Sequence, residues 1–511
     1  MSRIDTTRLT LEVYNMLVGG LDIGSTGAKI TVMNQTGEVL HYGYRDYPVD
    51  RNVSTHEING EDVLDATKML LQEAMKITPT LSAIGVTSFG ESFVLLDEND
   101  RVLMPTLMYT DPRGEDEVKL LKEKLGDDFI NATAGTAAHN MYSLPKLMWI
   151  KTHLPEIFSK TKRVCLMVDY LIYRLTGKGY IDYSLAARTL GFDIQKKQWS
   201  PEIFKAAGIS SSLFSTPVPT GTDAGVILPK IAKELEISEE IRVVACCHDQ
   251  LAAAIGLDVT EAGMATDSGG TVQCMTPVFS PIPENRILQE NNYSIIPFIK
   301  DNFYCSYAYS FTGGALTKWF VDNFAKEDKT RAKEMEIPVY QLLEEDMKDE
   351  PTGILVLPHF AGAGTPYMDP SSRGAIVGLN LGHQPPDILR AIMEGIAYEM
   401  RINMECLAKG GIQINGLKAT GGCAKSKMWL QMKADILGVP ISRMSTDEAG
   451  TIGGIILTGV AVGAYRSLEE GVKTLVKPVE TYYPRLKMKE QYDVYFKRYE
   501  RLYHSLKPLI S

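Results

Sequence analysis

The chain has 511 residues. A single hydrophobic core does not organise that many residues, so we expect two domains of roughly 250 residues each. Its 53 lysines and arginines stand against 63 aspartates and glutamates, which gives a formal net charge of -10. This balance argues against a general binder of nucleic acid or of anionic membranes, because such proteins need clustered cations.

The sequence shows no targeting feature. No run of about 18 uncharged apolar residues predicts a membrane span. Residues 1–15 are polar and lack the apolar segment of a secretory signal, so we interpret them as a lead-in to the first strand. The seven cysteines form neither a CxxC pair nor a disulfide framework. We therefore expect a cytoplasmic protein.

The first half begins with a strand–turn–strand pattern, in which residues 22–27 are a polar turn that contains glycine. Its predicted elements, in chain order, are strands over 16–21, 28–33 and 38–44, a helix over 61–77, strands over 83–87 and 93–97, helical patterns over 115–175, and a strand over 242–247. The last strand includes Cys246 and Cys247, which we expect to be buried strand residues.

A second strand–turn–strand unit begins near residue 263, with small and hydroxylated residues over 265–272 in its turn. We place a domain boundary near residue 260, where the length also predicts one. The predicted helices of the second half are 386–408, 425–437, 449–463 and a terminal helix over 488–506.

The turn after the first strand has residues that suit an anionic phosphate chain. Its glycines and hydroxyls bring backbone N–H groups and side-chain oxygens to one place. Asp22 could hold Mg2+, and Lys29 adds a positive charge. The segment matches neither of the common glycine-rich nucleotide signatures, and an ordinary β-turn is the alternative.

Two further glycine turns suit a nucleotide. Ser268-Gly269-Gly270-Thr271 repeats the glycine–hydroxyl pattern, so that each half begins with such a turn. Thr420-Gly421-Gly422 comes after an apolar strand and before a helix, where a double glycine allows a flat ring to approach the backbone. An ordinary strand-to-helix turn is the alternative there.

Carboxylates at strand ends are the candidates for chemistry. Asp249 follows a buried strand near the predicted boundary and could accept a proton from an attacking hydroxyl; a helix N-cap is the alternative. His248 suits a structural or substrate-side hydrogen bond better than a metal. Glu91 and Asp111 could accept hydrogen bonds from a polyol, with surface turns as the alternative.

In this order, the pieces resemble the FGGY family of carbohydrate kinases, which has the actin-like ATPase fold. The resemblance runs from about residue 17 to residue 464 and is nearest the xylulose kinase branch. It is carried by LDIGSTGAKITV (21–32), DYLIYRLTG (169–177), IDYSLAARTLGFD (181–193), HDQLAAAIG (248–256), PHFAGAGTPYMDPSSRGAIVGL (358–379), EGIAYEM (394–400), ATGGCAKSKMWLQMKADILGVPI (419–441) and EAGTIGGIILTGVAVG (448–463).

The resemblance implies an α/β fold with two actin-like (ribonuclease H-like) ATPase domains and a central cleft for nucleotide and substrate. The N-terminal domain, 16–260, would hold the substrate and the first phosphate hairpin, and the C-terminal domain, 261–511, would hold the nucleotide. The expected cofactors are ATP and Mg2+, the partner is a small sugar or polyol, and the family suggests a homodimer.

Individual roles follow from the motifs that match the family. Asp249 resembles the general base, and Asp22 resembles a magnesium-holding residue. The remaining positions are Thr26 and Lys29 on the first phosphate hairpin, Gly270 and Thr271 on the second, Gly314 beside the phosphates, Gly421, Gly422 and Ser426 around the adenosine, and Glu91, Asp111, His248 and Asp249 on the substrate side.

The substrate loop departs from the family patterns. Xylulose kinases usually show Gln-Met-His-Gly and glycerol kinases Arg-Glu-Thr, where this chain has Gly90 and Glu91. His248 is closer to the His-Asp pair of deoxysugar kinases. The leading hypothesis is a kinase of a ketose such as xylulose, another pentulose or a deoxyhexulose. The alternatives are a kinase of a non-sugar polyol or signal molecule, and a non-catalytic nucleotide-binding regulator.

Overall fold

A computed structural model describes residues 16–52 and 55–510. The lead-in expected over residues 1–15 lies outside the described residues. By packing, the chain divides into two compact units, and neither is one continuous segment. The first unit comprises Met1–Asp258, Ile295–Cys305 and Glu448–Lys477, and the second comprises Val259–Ser294, Ser306–Asp447 and Pro478–Ser511.

The first unit is built on a six-stranded mixed sheet. Apolar, β-branched residues alternate or run continuously in its central strands, as expected for strands that are buried on both faces. The sheet order is Thr222–Val226, Arg242–His248, Leu81–Ser88, Leu17–Ile23, Gly27–Asn34 and Val39–Asp46. The second, third and fourth of these strands run parallel. Shorter strands are Val49–Arg51, His56–Ile58, Phe93–Leu96, Thr106–Leu107, Arg163–Leu166, Tyr180–Asp182, Phe192–Asp193, Gln198–Trp199, Thr216–Val218, Ile296–Pro297 and Tyr304–Cys305.

Helices surround this sheet. They are Gly60–Ile77, Glu115–Leu125, Asp127–Ala134, Ser143–His153, Pro155–Lys160, Met167–Thr176, Tyr183–Ala187, Pro201–Ala207, Pro229–Leu235, Asp249–Gly256, Ala449–Ala461 and Leu468–Leu475, with a 3₁₀ turn at Ser211–Leu213.

The helix Ala449–Ala461 lies unusually close to its neighbours. A Cβ atom on Gly20 would lie 2.1 Å from the carbonyl oxygen of Thr451, and one on Gly453 would lie 1.8 Å from that of Ala252. Only glycine permits such backbone contact with the first strand and with the helix Asp249–Gly256. Sequence analysis assigned this helix to the second half, whereas its packing places it in the first unit.

The second unit has its own six-stranded mixed sheet. The sheet order is Ala308–Ser310, Gln273–Met275, Met264–Gly269, Gly416–Thr420, Ile441–Met444 and Pro478–Tyr482. Further strands are Val278–Phe279, Leu355–Leu357 and Ala375–Val377. The helices are Ile287–Glu290, Gly314–Phe324, Lys326–Glu334, Val339–Glu345, Pro385–Lys409, Lys427–Leu437, Leu486–Tyr499 and Leu502–Ile510, with a 3₁₀ turn at Gly422–Lys425.

Three predicted elements differ from the structure. The helical region over 115–175 is interrupted by the strand Arg163–Leu166. The expected terminal helix is two helices, which meet between residues 499 and 502. The expected turn over 265–272 begins as the strand Met264–Gly269, because polar Asp267 is paired inside the unit and does not need solvent. Among the described residues, no helix is both long and apolar enough to cross a membrane.

Candidate active site

The site in the first unit lies at one edge of the sheet, where three parallel strands end together. In the register of these strands, Asp22 pairs with Thr87, and Ser88 pairs with both Ile23 and His248. The strand ends therefore bring together the first hairpin, the loop 89–92 and the start of the helix Asp249–Gly256. Carboxyl ends of parallel strands are where α/β proteins form ligand sites.

Asp249 is the first residue of its helix, and His248 is the N-cap. The backbone N–H of Gln250 donates to Nδ1 of His248 at 3.3 Å, so the alternative reading of Asp249 as the cap is wrong. Oδ1 of Asp249 lies 3.1 Å from that same Nδ1. It is buried, and no group among the described residues donates a hydrogen bond to it. A buried carboxylate oxygen without a donor is costly, which is typical of a functional group.

The pKa values of these two neighbours shift in opposite directions. Burial, together with the negative charges of Asp22 and Glu91, raises the pKa of Asp249 to about 8. Burial, assisted by the positive charge of Arg188, lowers the pKa of His248 well below its ordinary value. His248 is therefore a neutral imidazole whose Nδ1 accepts a hydrogen bond, and Asp249 is a strong base for a carboxylate.

Asp22 and Lys29 face the loop that enters the helix Ala449–Ala461. A Cβ atom on Gly450 would lie 2.7 Å from Oδ2 of Asp22. Nζ of Lys29 forms an ion pair with Oε2 of Glu448 at 3.0 Å. Burial raises the pKa of Asp22 to about 6, although Lys29 opposes that change. Burial alone would lower the pKa of Lys29, but Glu448 outweighs it and raises that pKa.

Thr26 lies on the turn of the first hairpin. The turn is closed by the N–H of Gly24, which donates to the carbonyl of Gly27 at 2.9 Å. The carbonyl of Thr26 accepts from the N–H of Tyr47 at 3.3 Å, and the residue is exposed. The backbone of the turn is thus fixed while its threonine faces solvent, an arrangement that suits a phosphate contact.

Glu91 lies in the loop beside Asp249 and is held by a buried arginine. Nε of Arg188 donates to Oε1 of Glu91 at 2.6 Å, and Nη2 pairs with the same oxygen. Glu91 is 3% exposed and has a backbone φ of 62°. Burial raises its pKa despite the attraction of Arg188. The left-handed backbone of a non-glycine residue is a local strain of the kind found at ligand sites.

Both oxygens of the Asp111 carboxylate accept hydrogen bonds from other residues of the protein. Its Oδ1 accepts from Nε of Arg113 at 2.8 Å, and its Oδ2 accepts from the N–H of His56 at 2.9 Å. Burial opposes ionisation, but the bond from Arg113 prevails and lowers the pKa of Asp111. The side chain therefore organises the turn 110–114, and a direct contact with substrate stays a prediction.

In the second unit, three glycine turns meet at the sheet edge. Ser268 and Thr420 are register partners on parallel strands, so the turns that follow them lie side by side. The N–H of Gly314 donates to the carbonyl of Gly270 at 2.8 Å, and that of Ala315 donates to the carbonyl of Thr271 at 3.1 Å. Backbone hydrogen bonds therefore join two of the turns predicted to hold the nucleotide, and the third lies beside them.

These glycines fall into two kinds. A Cβ atom on Gly314 would lie 2.7 Å from the carbonyl oxygen of Gly270, and one on Gly421 (φ 84°) would lie 2.7 Å from that of Gly269. Packing already requires glycine at these two positions, and their contact with a nucleotide stays a prediction. A Cβ atom on Gly270 or Gly422 would meet nothing within 4 Å. Open space above these two residues is room for a flat or anionic ligand against bare backbone.

A buried ion pair anchors the same edge. Nζ of Lys433 lies 2.8 Å from both carboxylate oxygens of Asp267, and Nε2 of Gln273 donates to Asp267 Oδ1 at 2.6 Å. Ser426, expected at the adenosine, accepts from the N–H of Trp429 at 3.0 Å and is the N-cap of the helix Lys427–Leu437. Its contact with a nucleotide stays a prediction.

Comparison with family models identifies the chain. Residues 17–256 match the FGGY family of carbohydrate kinases, N-terminal domain, and residues 270–462 match its C-terminal domain. The chain belongs to the FGGY family of carbohydrate kinases. It is therefore a sugar kinase with the two-domain fold of this family, and the family implies ATP as the phosphoryl donor.

The names of relatives of this FGGY kinase give different substrates. It is 28% identical over 501 residues to the xylulose kinase of Bacillus subtilis (strain 168), which covers 96% of this chain and 97% of that protein. It is 30% identical over 466 residues to glycerol kinase 2 of Saccharolobus solfataricus, with 88% and 90% covered. The crystal structure of gluconate kinase from Lactobacillus acidophilus has a TM-score of 0.88 at 23% identity, with 97% and 99% covered, and supports the fold alone.

Sequence reasoning missed four residues around these sites: Arg188, Glu448, Asp267 and Lys433. Arg188 and Glu448 lie within motifs that carry the family resemblance, but nothing local indicates their partners. Arg188 meets a residue 97 positions away, and Glu448 meets one 419 positions away. A charged residue inside an otherwise small or apolar motif was the available signal.

The residues around Asp22 fit a divalent cation. Within the described ranges, no three His, Cys, Asp or Glu side chains form a cluster that could hold a metal ion. Mg2+ does not need one, since it is commonly bound by one or two carboxylates together with phosphate oxygens and water. Burial and then the negative charge of Asp22 raise the pKa of Asp249, and a cation at Asp22 would offset the second of these causes.

Proposed function

We propose that this FGGY kinase transfers the γ-phosphoryl group of ATP to a hydroxyl of a neutral ketose, such as xylulose or a related pentulose or deoxyhexulose. The observation that carries the proposal is Asp249, whose buried oxygen has no donor among the described residues and whose pKa is raised to about 8. The match to a xylulose kinase over 97% of that protein's length supports the ketose.

Charge supports a neutral substrate over a sugar acid. The cations near the loop 89–92 already have partners: Arg188 pairs with Glu91, Arg113 pairs with Asp111 and Glu57, and Nζ of Lys146 donates to the carbonyls of Asp111 and Arg113. Glu91 and Asp22 add acidic groups to the same region, and Asp249 adds negative charge once it is ionised. The carboxylate of an aldonate would meet repulsion there.

The chemistry needs one proton acceptor and good positioning. Asp249 takes the proton of the attacking hydroxyl as its oxygen bonds to the γ-phosphorus and the bond to ADP breaks. The raised pKa makes Asp249 a better proton acceptor than an ordinary carboxylate, and a cation at Asp22 would favour the ionised form that must be present before the transfer. Lys29, Thr26, Gly270 and Thr271 would hold the phosphates, and Gly421 and Gly422 the adenosine. Mg2+ held by Asp22 would neutralise charge on the phosphates.

A polyol is the second candidate, and the identity to a glycerol kinase favours it. Glu91 also matches the glutamate of the glycerol kinase pattern. We expect this candidate to rank below ketoses because the match to the xylulose kinase extends over more of the chain.

The test is ADP release with a panel of xylulose, ribulose, a deoxyhexulose, erythritol, glycerol and gluconate. We expect the highest kcat/KM for a ketose. Asp249→Asn keeps the size of the side chain and should lower kcat by about 10²–10⁴-fold with the dissociation constant of ATP unchanged. Asp65→Asn, on the exposed face of the helix Gly60–Ile77, is the matched control.

Three results would contradict the proposal. Faster turnover of gluconate or glycerol would contradict a ketose as the substrate. Near-normal turnover by Asp249→Asn would contradict Asp249 as the general base. ATP hydrolysis that no member of the panel stimulates would favour a nucleotide-binding regulator.

A further inference from the structure

A buried cluster around Arg188 joins three parts of the first unit beside Asp249. Arg188 follows the short helix Tyr183–Ala187 as its C-cap. Its guanidinium pairs with Glu91 and lies 5.0 Å from the ring centre of Tyr142. The side chain of Arg188 is 7% exposed and that of Glu91 is 4% exposed. An arginine so enclosed needs its charge compensated, and Glu91 and the face of Tyr142 compensate it.

Gly90 shows how tightly this cluster is packed. A Cβ atom there would lie 2.9 Å from Cδ2 of His248 and 3.0 Å from Cγ of Arg188. Both atoms belong to rigid parts of their side chains, a ring and the base of a stem. Any larger residue at Gly90 would therefore displace the arginine or the imidazole.

The cluster also holds the residues beside the base. The backbone N–H of His248 donates to Oγ of Ser184 at 3.0 Å, four positions before Arg188. The hydroxyl of Ser143 donates to the carbonyl of Glu91 at 2.6 Å. Arg188 thus acts on Glu91 through an ion pair, and its stem and the ring of His248 both lie beside Gly90.

We propose that Arg188 is a positioning residue that determines how this kinase recognises its sugar. By holding Oε1 of Glu91, it leaves Oε2 to accept a hydrogen bond from a substrate hydroxyl. This inference rests on the proposed function, because it concerns the sugar that Asp249 deprotonates. Arg188 itself does not take part in the transfer.

The test separates sugar binding from chemistry. Arg188→Met should raise the KM for the best sugar about tenfold or more, because a hydrogen bond to a charged group is lost, and should change kcat and the KM for ATP less than threefold. Arg188→Lys keeps the positive charge but offers only one point of contact. Its KM for the sugar should therefore lie between those of the wild type and Arg188→Met.

Arg174→Met is the matched control. Arg174 pairs with Glu61 at 2.7 Å and lies 5.4 Å from the ring of Tyr170, so it repeats the chemistry of Arg188 away from Asp249. We expect it to change thermal stability without changing the KM for the sugar. Thermal melts of all variants show whether a change in KM accompanies unfolding.

The double variant Glu91→Gln/Arg188→Met tests the mechanism directly. If Arg188 acts by holding Glu91, its substitution should raise KM much less in the Glu91→Gln background than in the wild type. Fully additive effects would overturn the inference, as would an unchanged sugar KM in Arg188→Lys and Arg188→Met. A loss of stability that matches the control, without a change in KM, would also overturn it. Failure of the wild type to phosphorylate any sugar would instead overturn the proposed function.

Discussion

Burial controls the ionisation of single carboxylates in the first unit. The pKa values of Asp22, Asp169 and Asp249 are raised, to about 6, 7 and 8, and burial is the first cause for each. Asp111 has the opposite shift because Arg113 bonds to it. We place Asp169, unlike Asp22 and Asp249, outside the catalytic edge, so it offers a clean test of the electrostatics.

Asp169→Asn should make the free energy of unfolding depend less on pH. The pKa of Asp169 is about 7 in the folded protein, against an ordinary value of 3.8. The carboxyl group is therefore protonated at pH 5 in the folded state. The stability that this proton contributes is lost as pH rises through 7. The wild type should therefore lose about 2–3 kcal/mol from this group between pH 5 and pH 8. Asparagine resembles the protonated acid and can still accept from the hydroxyl of Ser215, which is 2.6 Å from Asp169.

Urea unfolding at several pH values measures this effect. Asp116→Asn is the control, because Asp116 is exposed and its pKa lies below the ordinary value, outside the pH range used. Asp169→Asn should have a flatter pH profile than both the wild type and Asp116→Asn. Parallel profiles for all three proteins would show that Asp169 is ionised in the fold at pH 5.

For single residues, the sequence predicts a role when neighbours in the chain form the surroundings of the residue. Asp249 could be proposed because the apolar run before it predicts a buried strand that ends there. Its cap could not be assigned, since whether His248 or Asp249 leaves the helical conformation depends on the local backbone. Arg188 could not be paired with Glu91, because 97 residues separate them and the pairing follows only from the fold.

At the scale of elements, a buried ion pair joins the helix Lys427–Leu437 to the strand Met264–Gly269. Lys433 and Asp267 are each 1% exposed, and Lys433 also lies 4.9 Å from the ring centre of Trp429. The strand continues directly into Gly270 and Thr271. The pair therefore fixes the base of the turn that we expect to hold phosphate.

Lys433→Met should lower the free energy of unfolding by about 3–5 kcal/mol, because it leaves the Asp267 carboxylate buried without its cation. It should also raise the KM for ATP more than the KM for sugar, since the phosphate turn loses its anchor. Lys427→Met on the same helix removes an exposed pair with Glu480 and should change the free energy of unfolding very little. Equal effects of the two substitutions on stability and on the KM for ATP would contradict the assignment.

The elements themselves were predictable where one period dominates. The strands near 17–23, 81–88 and 242–248 are mostly small or apolar, and the helix Gly60–Ile77 has regular helical spacing. The strand Arg163–Leu166 was missed because four residues between helices carry no period of their own. Residues 265–272 were predicted as a turn because they are small and hydroxylated, whereas Met264–Gly269 is a strand in which Lys433 satisfies Asp267 inside the unit.

At the scale of the whole molecule, the order of motifs indicated the family, but it did not indicate how the chain is shared between units. The helix Ala449–Ala461 has ten buried residues among thirteen. Its many small residues were visible in the sequence, while its partners, Gly20 and the helix Asp249–Gly256, lie hundreds of positions earlier. A Cβ atom on Gly85 would likewise lie 2.0 Å from Oγ1 of Thr458. The first unit is therefore completed only when the chain returns at residue 448.

This arrangement predicts different results for two shortened chains. A chain that ends at Asp447 lacks the segment Glu448–Lys477. It would leave an apolar face of the sheet uncovered, and Gly20 and Gly85 would lose the helix that packs against them. Its strands Leu17–Ile23 and Leu81–Ser88 should lose most of their protection from hydrogen exchange. A chain that ends at Lys477 lacks only residues of the second unit and should keep that protection. Mass spectrometry of peptides from these two strands makes the comparison within the first unit alone. Equal protection in the two chains would mean that the first unit folds without its returning helix, which the backbone contacts of Gly20 and Gly453 argue against.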